Sequence, residues 1–315
     1  MLRIKDLEVY YNTRMGIVRA VDRVGLGVKK GETLGLVGES GCGKSTLGFS
    51  ILRLVPPPGR IVGGEIIFDG ENLLAKSEEE MRRLRGKRIS MIFQDPMTSL
   101  NPLERIDEHI IETIRTHEKE TSKEEARRRA EELADRLGIL SSRLSDYPHQ
   151  FSGGMRQRVM ISLALALNSD LVIADEPTTS LDVIVEAQIL ELLKELKEAY
   201  NLTLILITHN LGVIAELADR VAVMYAGKIV EVADSIPLYS DPLHPYTQGL
   251  LRSIPNISLA EHELETMPGS PPDLVDPPSG CRFHPRCPHA TKECSQVEPP
   301  LKEIGDNRLV ACLRY

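Results

Sequence analysis

The sequence contains no tryptophan and few aromatic residues, so aliphatic side chains must fill most of its core. Of the 315 residues, 4% are aromatic, 42% are hydrophobic and 27% are charged. This balance is typical of globular proteins and excludes wholesale disorder. Since domains usually span about 100–200 residues, the length predicts one large domain or about two ordinary ones.

Long hydrophobic runs are also missing. A helix needs about 20 apolar residues to cross a bilayer, and the longest candidate runs, Val159–Leu167 and Leu202–Ile207, are much shorter. The first residues, Met1–Asp6, hold no apolar export segment and are typical of a first strand. We therefore expect a cytoplasmic chain with no membrane-spanning helix of its own.

Basic residues and cysteines are scarce as well. The 38 basic residues are outnumbered by 46 acidic ones, which gives a net charge of −8 and argues against nucleic-acid binding through bulk charge. There are only five cysteines, and an odd count in a reducing cytosol argues against a disulfide framework. Four of the five follow residue 280, so they need a separate explanation.

Nearly unbroken aliphatic runs predict a parallel sheet. They occur at Leu34–Val37, Leu171–Ala174 and Leu202–Ile207, and such runs fit strands that helices cover on both faces. Between the last two runs, Val183–Tyr200 repeats apolar residues at helical spacing. The strand–helix–strand order predicts an α/β fold.

Two stretches depart from this pattern. Residues 104–138 are rich in Glu, Arg, Ala and Leu, and opposite charges at helical spacing, such as Glu124 and Arg128, predict solvated helices. Most of the 20 prolines lie between Pro237 and Pro300, where they disfavour long helices and central strands. We expect a helical insert near residues 96–168 and, after about residue 235, a loop-rich extension that cannot easily build its own core.

The segment Gly38–Ser45 matches the phosphate-loop pattern G-x-x-x-x-G-K-[ST]. It follows the predicted strand Leu34–Val37 and precedes an apolar helical segment, which is the context that phosphate binding requires. Glycines let backbone N–H groups curl around phosphates, and the helix N-terminus adds a favourable dipole. Lys44 would reach the β- and γ-phosphates and Ser45 would bind Mg²⁺. The alternative is an ordinary Gly-rich turn.

The run Leu171–Ala174 delivers two adjacent carboxylates, Asp175 and Glu176, at its end. Asp175 can hold the Mg²⁺ shell, and Glu176 can orient or deprotonate an attacking water. Acidic residues also end strands for solubility, so this pair alone is weak evidence. Together with the phosphate loop it predicts a nucleoside triphosphatase.

A second helix start lies at Ser152, where two glycines, Gly153 and Gly154, precede an apolar helical run. A serine N-cap followed by exposed backbone donors is suited to binding an anion. If this helix end cannot reach the phosphate loop of its own chain, it would complete a site in another subunit. A simple helix cap is the alternative.

These motifs together resemble the nucleotide-binding subunit of ATP-binding cassette (ABC) transporters, and their order and separations match across about residues 1–235. The residues and segments that carry the resemblance are Gly38–Ser45, Gln94, Ser152–Gly154, Asp175, Glu176, Ser180–Asp182 and His209. In that family, two subunits sandwich two ATP molecules head to tail. The resemblance implies an α/β, P-loop NTPase core of the ABC ATPase type that hydrolyses ATP.

The resemblance also implies a domain layout. Residues 1–95 and 169–235 would form a RecA-like nucleotide-binding core with an N-terminal β subdomain. Residues 96–168 would form the helical signature subdomain, and residues 236–315 a Pro/Cys-rich C-terminal extension.

The same likeness implies a role for each site residue. The residues expected to bind ATP or its Mg²⁺ are Tyr11, Ser40, Gly41, Cys42, Gly43, Lys44, Ser45, Thr46, Gln94, Ser152, Gly153, Gly154, Asp175 and Asp182. Ser45, Gln94 and Asp175 would hold the Mg²⁺.

Catalysis by this likeness would rest on Glu176, Gln94 and His209. Gln94 would touch the attacking water and signal to the membrane subunits, and His209 would hold the γ-phosphate. Asp182 would cross the dimer interface, and Tyr11 would stack on adenine, although a partly buried strand tyrosine is the alternative there.

Two departures from the family pattern are visible. Met155 stands in the signature where glutamine is common, and Cys42 stands in the phosphate loop where serine is frequent. Met155 removes a side-chain amide but leaves the backbone donors and Ser152, and Cys42 contributes mainly its backbone N–H. We therefore expect ATP binding to persist.

The segment Ser240–Leu251, with its His-Pro-Tyr triplet at 244–246, resembles the region just after the cassette in dipeptide, oligopeptide and nickel importer ATPases. Val18–Asp22 and Phe151–Met160 are similar to the same subfamily. From the residues alone this segment predicts only a short Pro-capped helix with an apolar side. The resemblance implies an importer ATPase that energises peptide uptake.

Four cysteines in the extension, Cys281, Cys287, Cys294 and Cys312, are separated by five, six and seventeen residues. Structural zinc sites usually carry Cys-x₂₋₄-Cys pairs, which are absent here, whereas four thiolates suffice for a [4Fe–4S] cluster. Peptide-importer ATPases of the dipeptide type resemble this chain in that spacing and carry such a cluster, which implies one here. Zn²⁺, with His284 or His289 as further ligands, and unligated thiols stay open.

The resemblance implies partners. We expect a second ABC ATPase subunit in a heterodimer, two transmembrane permease subunits, an extracellular or periplasmic peptide-binding protein acting indirectly, and no nucleic acid. The chain would then lie peripherally on the cytoplasmic face of the cell membrane.

Three other functions stay open: an importer ATPase for nickel or another small solute, a soluble ABC ATPase acting on nucleic acid, and a metal-sensing module that merely binds nucleotide. The second class usually carries two cassettes or a long coiled-coil insertion, and the third would require Glu176 to be dispensable.

Overall fold

A computed structural model of the chain describes residues 1–179, 181–253, 267–305 and 307–315. The strands are β1 Leu2–Thr13, β2 Gly16–Val28, β3 Thr33–Val37, β4 Gly59–Phe68, β5 Glu71–Asn72, β6 Ile89–Ile92, β7 Leu171–Asp175, β8 Thr203–Ile207, β9 Arg220–Tyr225, β10 Lys228–Asp234, β11 Lys302–Glu303 and β12 Leu309–Val310. The α-helices are α1 Lys44–Ile51, α2 Glu78–Leu84, α3 Pro96–Ser99, α4 Ile106–His117, α5 Lys123–Arg136, α6 Gly153–Leu165, α7 Val183–Tyr200, α8 Leu211–Leu217, α9 Ser235–Ser240 and α10 Pro245–Arg252.

The chain forms two compact units. Unit 1 contains residues 1–75 and 207–315, and unit 2 contains residues 76–206. Among the described residues, the helices are all too short or too polar to cross a membrane.

Unit 1 holds an antiparallel sheet in the order β2-β1-β4-β5. In β1 the side chains of Leu2, Ile4, Leu7 and Val9 are buried, which is the alternation expected of a strand with one face on a core. A second layer runs β11-β12-β10-β9-β3. Its β3 and β9 are parallel, whereas β10 is antiparallel to both β9 and β12. The predicted parallel sheet therefore gains an antiparallel edge.

The predicted extension contributes to unit 1 and takes its core from earlier parts of the chain. β12 pairs with β10, so that Val310 lies opposite Glu231. Phe283 and Tyr246 are buried, and both rings pack against Tyr225 of β9, with centroid distances of 5.2 and 4.5 Å. The extension thus buries its aromatic side chains against a strand that it does not itself supply.

Unit 2 places β6 parallel to β7, with β8 on the other side of β7. The predicted helices of residues 104–138 are α4 and α5, and α4 buries Ile106, Ile110 and Ile114 along one side. Charged side chains pair along α5, as expected of a solvated helix. Arg128 donates to Glu125 and Glu132, at 2.7 and 2.9 Å, because these residues lie three before and four after it on the same face.

Candidate functional site

The phosphate loop lies in unit 1 between the fully buried strand β3 and the helix α1. All three of its glycines adopt positive φ angles: +155° at Gly38, +78° at Gly41 and +109° at Gly43. A Cβ at Gly38 would run into the Met224 carbonyl oxygen, and one at Gly43 into the Ala20 carbonyl oxygen. Since neither neighbour is a movable side chain, only glycine fits these positions.

Lys44 is buried, with 5% of its surface exposed. Its Nζ donates to the carbonyl oxygens of Gly38 at 2.7 Å and Glu39 at 3.1 Å, so the ammonium lies over its own loop. The other predicted phosphate-binding residues surround it: Ser40 and Gly41 are exposed, and Gly43, Ser45 and Thr46 are half-buried.

Cys42 is buried in the loop, and burial raises the pKa of its thiol. Its carbonyl oxygen accepts the Gly227 N–H at 2.9 Å, and its own N–H donates to the Glu39 carbonyl oxygen at 3.3 Å. The sulfur therefore packs inside unit 1, and the residue shapes the loop through its backbone.

Two further predicted residues of unit 1 lie beside the loop. The hydroxyl oxygen of Tyr11 is 3.3 Å from the Thr46 hydroxyl oxygen at the start of α1. His209 is exposed just beyond β8, and the preceding residue, Thr208, donates its N–H to the Leu36 carbonyl oxygen at 3.2 Å. The Tyr11 hydroxyl thus lies beside the start of α1, and the backbone just before His209 lies beside the end of β3, where the phosphate loop begins.

In unit 2, Gln94 and Glu176 meet. Because β6 and β7 are parallel and Ile92 lies opposite Ala174, the residues two positions further along each strand reach the same edge of the sheet. Gln94 Nε2 donates to Glu176 Oε2 at 3.0 Å. The sequence predicted both residues as catalytic, and the strand register brings them into contact.

Glu176 is held in an uncommon conformation. Its φ of +46° is left-handed, which costs energy for a residue with a Cβ and is often found at functional sites. The Thr179 hydroxyl donates to Glu176 Oε2 at 2.8 Å. The neighbouring Asp175 ends β7 and is 1% exposed.

The predicted signature segment begins α6. Ser152 is the N-cap, and its hydroxyl accepts the Met155 N–H at 3.4 Å. Ser152 and Gly153 are exposed, so this helix N-terminus faces solvent. A Cβ on Gly154 would run into Cγ1 of Val185 in α7, so Gly154 lets the two helices approach closely.

Asp182 is the N-cap of α7, and its Oδ1 accepts the Val185 N–H at 3.0 Å. Its carboxylate is exposed. Ser180, which the sequence grouped with Asp182, lies outside the described residues.

None of the five cysteines forms a disulfide. Four of them lie in the extension, where they affect one another's pKa. Burial raises the pKa of Cys281 to about 11, with further increases from Cys312, Cys294 and Cys287. Burial also raises the pKa of Cys287, with contributions from Cys312 and Cys294. Cys281 and Cys287 therefore each lie within electrostatic range of the other three thiols.

Three of these sulfurs also accept backbone N–H groups. Phe283 donates to Cys281 and His289 to Cys287, and both bonds lower the thiol pKa. Thr291 N–H donates to Cys294 Sγ at 3.5 Å. In the part of the chain that the structure describes, no three His, Cys, Asp or Glu side chains form a group suited to a single metal ion.

Sequence patterns missed several polar residues that join the extension to the rest of unit 1. Glu231 is fully buried, and its carboxylate accepts the N–H groups of Leu243 and His244 at 2.8 and 2.9 Å. Arg286 pairs with Glu39 of the phosphate loop. The His-Pro-Tyr triplet was a signal for the first contact, whereas no local pattern pointed to the second.

Comparisons with known proteins agree with this geometry. The family model described as "ABC transporter" matches residues 21–179, and the one described as "Oligopeptide/dipeptide transporter, C-terminal region" matches residues 230–294. The chain is 51% identical over 314 residues to the oligopeptide transport ATP-binding protein OppD of Bacillus subtilis (strain 168), covering 98% of this chain and 87% of that protein. It is 46% identical to the dipeptide transport ATP-binding protein DppD of Escherichia coli (strain K12), covering 99% and 96%.

Among solved structures, the chain resembles a dimeric structure of MJ0796, a bacterial ABC transporter cassette. The TM-score is 0.67 at 30% sequence identity, and the match covers 75% of this chain and 99% of the other.

Proposed function

The chain belongs to the ABC transporter family, in the group of oligopeptide and dipeptide transport ATP-binding proteins, and from this membership we propose that it hydrolyses ATP to drive peptide uptake through separate membrane permeases. Relatives named for both oligopeptide and dipeptide transport cover nearly the whole chain. The match to the C-terminal region of these transporters supports peptides over nickel as the solute.

The observation that carries the ATPase proposal is the phosphate loop. Gly38 and Gly43 have backbone conformations that only glycine fits, and Lys44 is held over the loop between them. In this arrangement Lys44 would bind the β- and γ-phosphates while the loop N–H groups surround them.

Hydrolysis in this proposal proceeds by attack of water on the γ-phosphorus, which breaks its bond to the bridging oxygen and releases ADP and phosphate. Glu176 accepts a proton from the water, and Gln94, whose amide already contacts Glu176, orients it. His209 would hold the γ-phosphate, and Tyr11 would stack on the adenine.

Mg²⁺ would be held by Ser45, Gln94 and Asp175, and when bound it supplies charge neutralisation on the β- and γ-phosphates. A hydroxyl, an amide oxygen and a carboxylate are the oxygen ligands that Mg²⁺ prefers. Each of these donors is therefore of a kind that binds the ion.

We further propose that a second ATPase subunit completes each nucleotide site. Ser152, Gly153 and Gly154 would contact the γ-phosphate bound to the partner's loop, and Asp182 would lie at the interface. The exposed helix N-terminus of α6 supports this role, as does the dimeric structure of a related cassette. A paralogue as the partner, giving a heterodimer, is part of the proposal. The permeases would hold the pair on the cytoplasmic face of the membrane and receive peptide from a binding protein.

Two variants test the ATPase proposal. Glu176→Gln keeps the size of the side chain but removes the base, so we expect ATP binding to persist while hydrolysis falls by a factor of about 10² or more. Lys44→Ala removes the phosphate-binding ammonium, so nucleotide binding itself should be lost. Binding by calorimetry and phosphate release should be measured on both variants. Normal turnover by Glu176→Gln would refute its role, and unchanged affinity in Lys44→Ala would refute the phosphate loop.

For the cysteines we propose a [4Fe–4S] cluster held by Cys281, Cys287, Cys294 and Cys312. Four thiols within electrostatic range, three of them accepting backbone N–H groups, form a donor set that fits such a cluster, since hydrogen bonds to sulfur are usual there. Cluster thiolates surround several irons, so they need not converge on one ion. The group would hold a Pro-rich segment together when bound.

Anaerobic purification followed by iron, sulfide and zinc analysis tests the cluster. We expect brown protein with about four irons per chain, and loss of the visible absorbance in Cys294→Ser. Cys42→Ser is the matched control, because it removes the thiol outside the extension and should keep the colour. Colourless protein with stoichiometric zinc would refute the cluster.

A further inference from the structure

The phosphate loop carries a carboxylate, Glu39, whose partner comes from the C-terminal extension. Arg286 Nη1 donates to Glu39 Oε2 at 2.8 Å, and Arg286 Nη2 donates to Glu39 Oε1 at 3.0 Å. Such a bidentate pair fixes both the distance and the orientation of the two side chains. The extension therefore reaches the loop through a specific contact.

Arg286 is itself held in place. Its side chain is 6% exposed, Nε donates to the Pro268 carbonyl oxygen at 2.9 Å, and Nη1 lies 3.4 Å from the Tyr225 hydroxyl oxygen. The guanidinium is thus oriented before any ligand arrives.

Tyr246 holds the backbone of the same loop residue. The Glu39 N–H donates to the Tyr246 hydroxyl oxygen at 2.9 Å. The Tyr246 ring is fully buried and packs 4.5 Å from the Tyr225 ring and 5.4 Å from the Phe283 ring, measured between centroids. Both the backbone and the side chain of Glu39 are therefore bonded to residues of the extension.

A carboxylate in a loop that binds phosphates is electrostatically unfavourable. Glu39 directly follows Gly38, and its carbonyl oxygen accepts from Lys44 Nζ at 3.1 Å, so its charge lies within a few residues of the phosphate-binding ammonium. A negative charge at this range opposes a triphosphate unless a cation offsets it. Arg286 supplies that cation and turns both carboxylate oxygens toward itself.

We propose that Arg286 is a positioning residue of the nucleotide site, which neutralises Glu39 and so keeps the phosphate loop receptive to a triphosphate. This inference rests on the proposed function, because it assumes that ATP binds at Gly38–Ser45. In this proposal the C-terminal extension contributes to nucleotide binding through Arg286.

ATP affinity of the purified full chain, measured by calorimetry at low and high salt, tests the inference. Arg286→Met leaves the Glu39 charge uncompensated, so we expect the Kd for ATP to rise about tenfold at low salt and less at high salt, where charges are screened. Adding Glu39→Gln removes the charge that needed compensation and should restore most of the affinity. Lys292→Met, which removes an exposed cation from the same segment, should leave the affinity unchanged.

Conservative variants cover the case in which Arg286→Met does not fold. Arg286→Lys keeps the charge and loses the bidentate geometry, so its loss of affinity should be about threefold, smaller than that of Arg286→Met. Glu39→Gln alone should bind ATP at least as tightly as the wild type.

The outcomes separate the inference from the function on which it rests. Wild-type affinity in Arg286→Met, with binding lost in Lys44→Ala, would overturn the inference alone. A loss that is independent of salt and not rescued by Glu39→Gln would also overturn it, because it would show a merely structural role. Wild-type affinity in Lys44→Ala would instead overturn the phosphate-loop assignment.

Discussion

At the scale of single residues, His244 has the most strongly shifted pKa among the described histidines. It is 1% exposed, its Nδ1 accepts the Tyr246 N–H at 3.0 Å, and its backbone N–H donates to Glu231 Oε2 at 2.9 Å. Burial lowers the pKa of His244 from 6.5 to about 4. The imidazole is therefore neutral in the folded protein at physiological pH, and its unprotonated Nδ1 holds the first turn of α10.

This environment predicts that stability falls as the pH falls from about 6.5 to about 4. In that window the unfolded chain binds a proton at His244 and the folded chain does not, so acid favours unfolding, by about 2 kcal/mol at pH 5. Urea unfolding at pH 7.5 and pH 5 measures the change. His244→Asn lacks the titrating ring, so it should lose less stability between the two pH values than the wild type. An equal loss in both proteins would contradict the prediction.

Residues within a local motif could be predicted from the sequence, whereas those that act through distant contacts could not. The pattern at Gly38–Ser45 predicted a Gly-rich loop between a strand and a helix, and the structure has this loop between β3 and α1. Nothing in the sequence connects Glu39 to Arg286, since the two lie 247 positions apart.

At the scale of secondary-structure elements, the approach of α6 to α7 is set by Gly154. A Cβ at this position would overlap Cγ1 of Val185, and the helical backbone of Gly154 otherwise gains nothing from glycine. The same α6 N-terminus is proposed to face the partner's nucleotide, so its placement matters for function as well as for packing.

We therefore expect Gly154→Ala to destabilise the protein by about 1–3 kcal/mol, although alanine is the better helix former. ATPase activity should fall with it, because α6 must shift away from α7. The matched control is the double variant Gly154→Ala/Val185→Ala, which removes the overlapping methyl group and should recover most of the loss. Thermal unfolding and phosphate release measure both effects. Stabilisation by Gly154→Ala alone would show that the two helices do not press on each other.

The elements themselves were largely predictable. Unbroken aliphatic runs located β3, β7 and β8, because a strand that is buried on both faces has apolar residues at every position. The apolar repeat of Val183–Tyr200 matched α7, because a helix that is buried on one side has apolar residues at helical spacing. No sequence pattern indicated the pairing of β12 with β10. A strand of two residues, such as β12, is too short to show an alternating pattern, so the sequence could not indicate which strand it pairs with.

At the scale of the whole molecule, the proposed assembly depends on surfaces that a lone chain leaves in solvent. Val183 and Ile184, at the start of α7, are 81% and 73% exposed, and they directly follow Asp182, which is proposed to lie at the subunit interface. Two adjacent exposed aliphatic side chains beside charged neighbours are more typical of an interface than of an ordinary surface. They give the proposed dimer an apolar contact next to its nucleotide sites.

The assembly predicts that ATP cleavage by the isolated chain depends on its concentration. A site that needs Ser152 from a second subunit forms only in a dimer, and without the paralogue a second copy of this chain must supply that residue. The rate per chain should therefore be low when dilute and rise across about a hundredfold increase in concentration, by mass action. Ser152→Arg keeps the chain's own phosphate loop but cannot serve a partner, so its rate should stay low throughout. Phosphate release beside sedimentation analysis measures rate and assembly together. Full activity in a strictly monomeric sample would show that one chain contains a complete site.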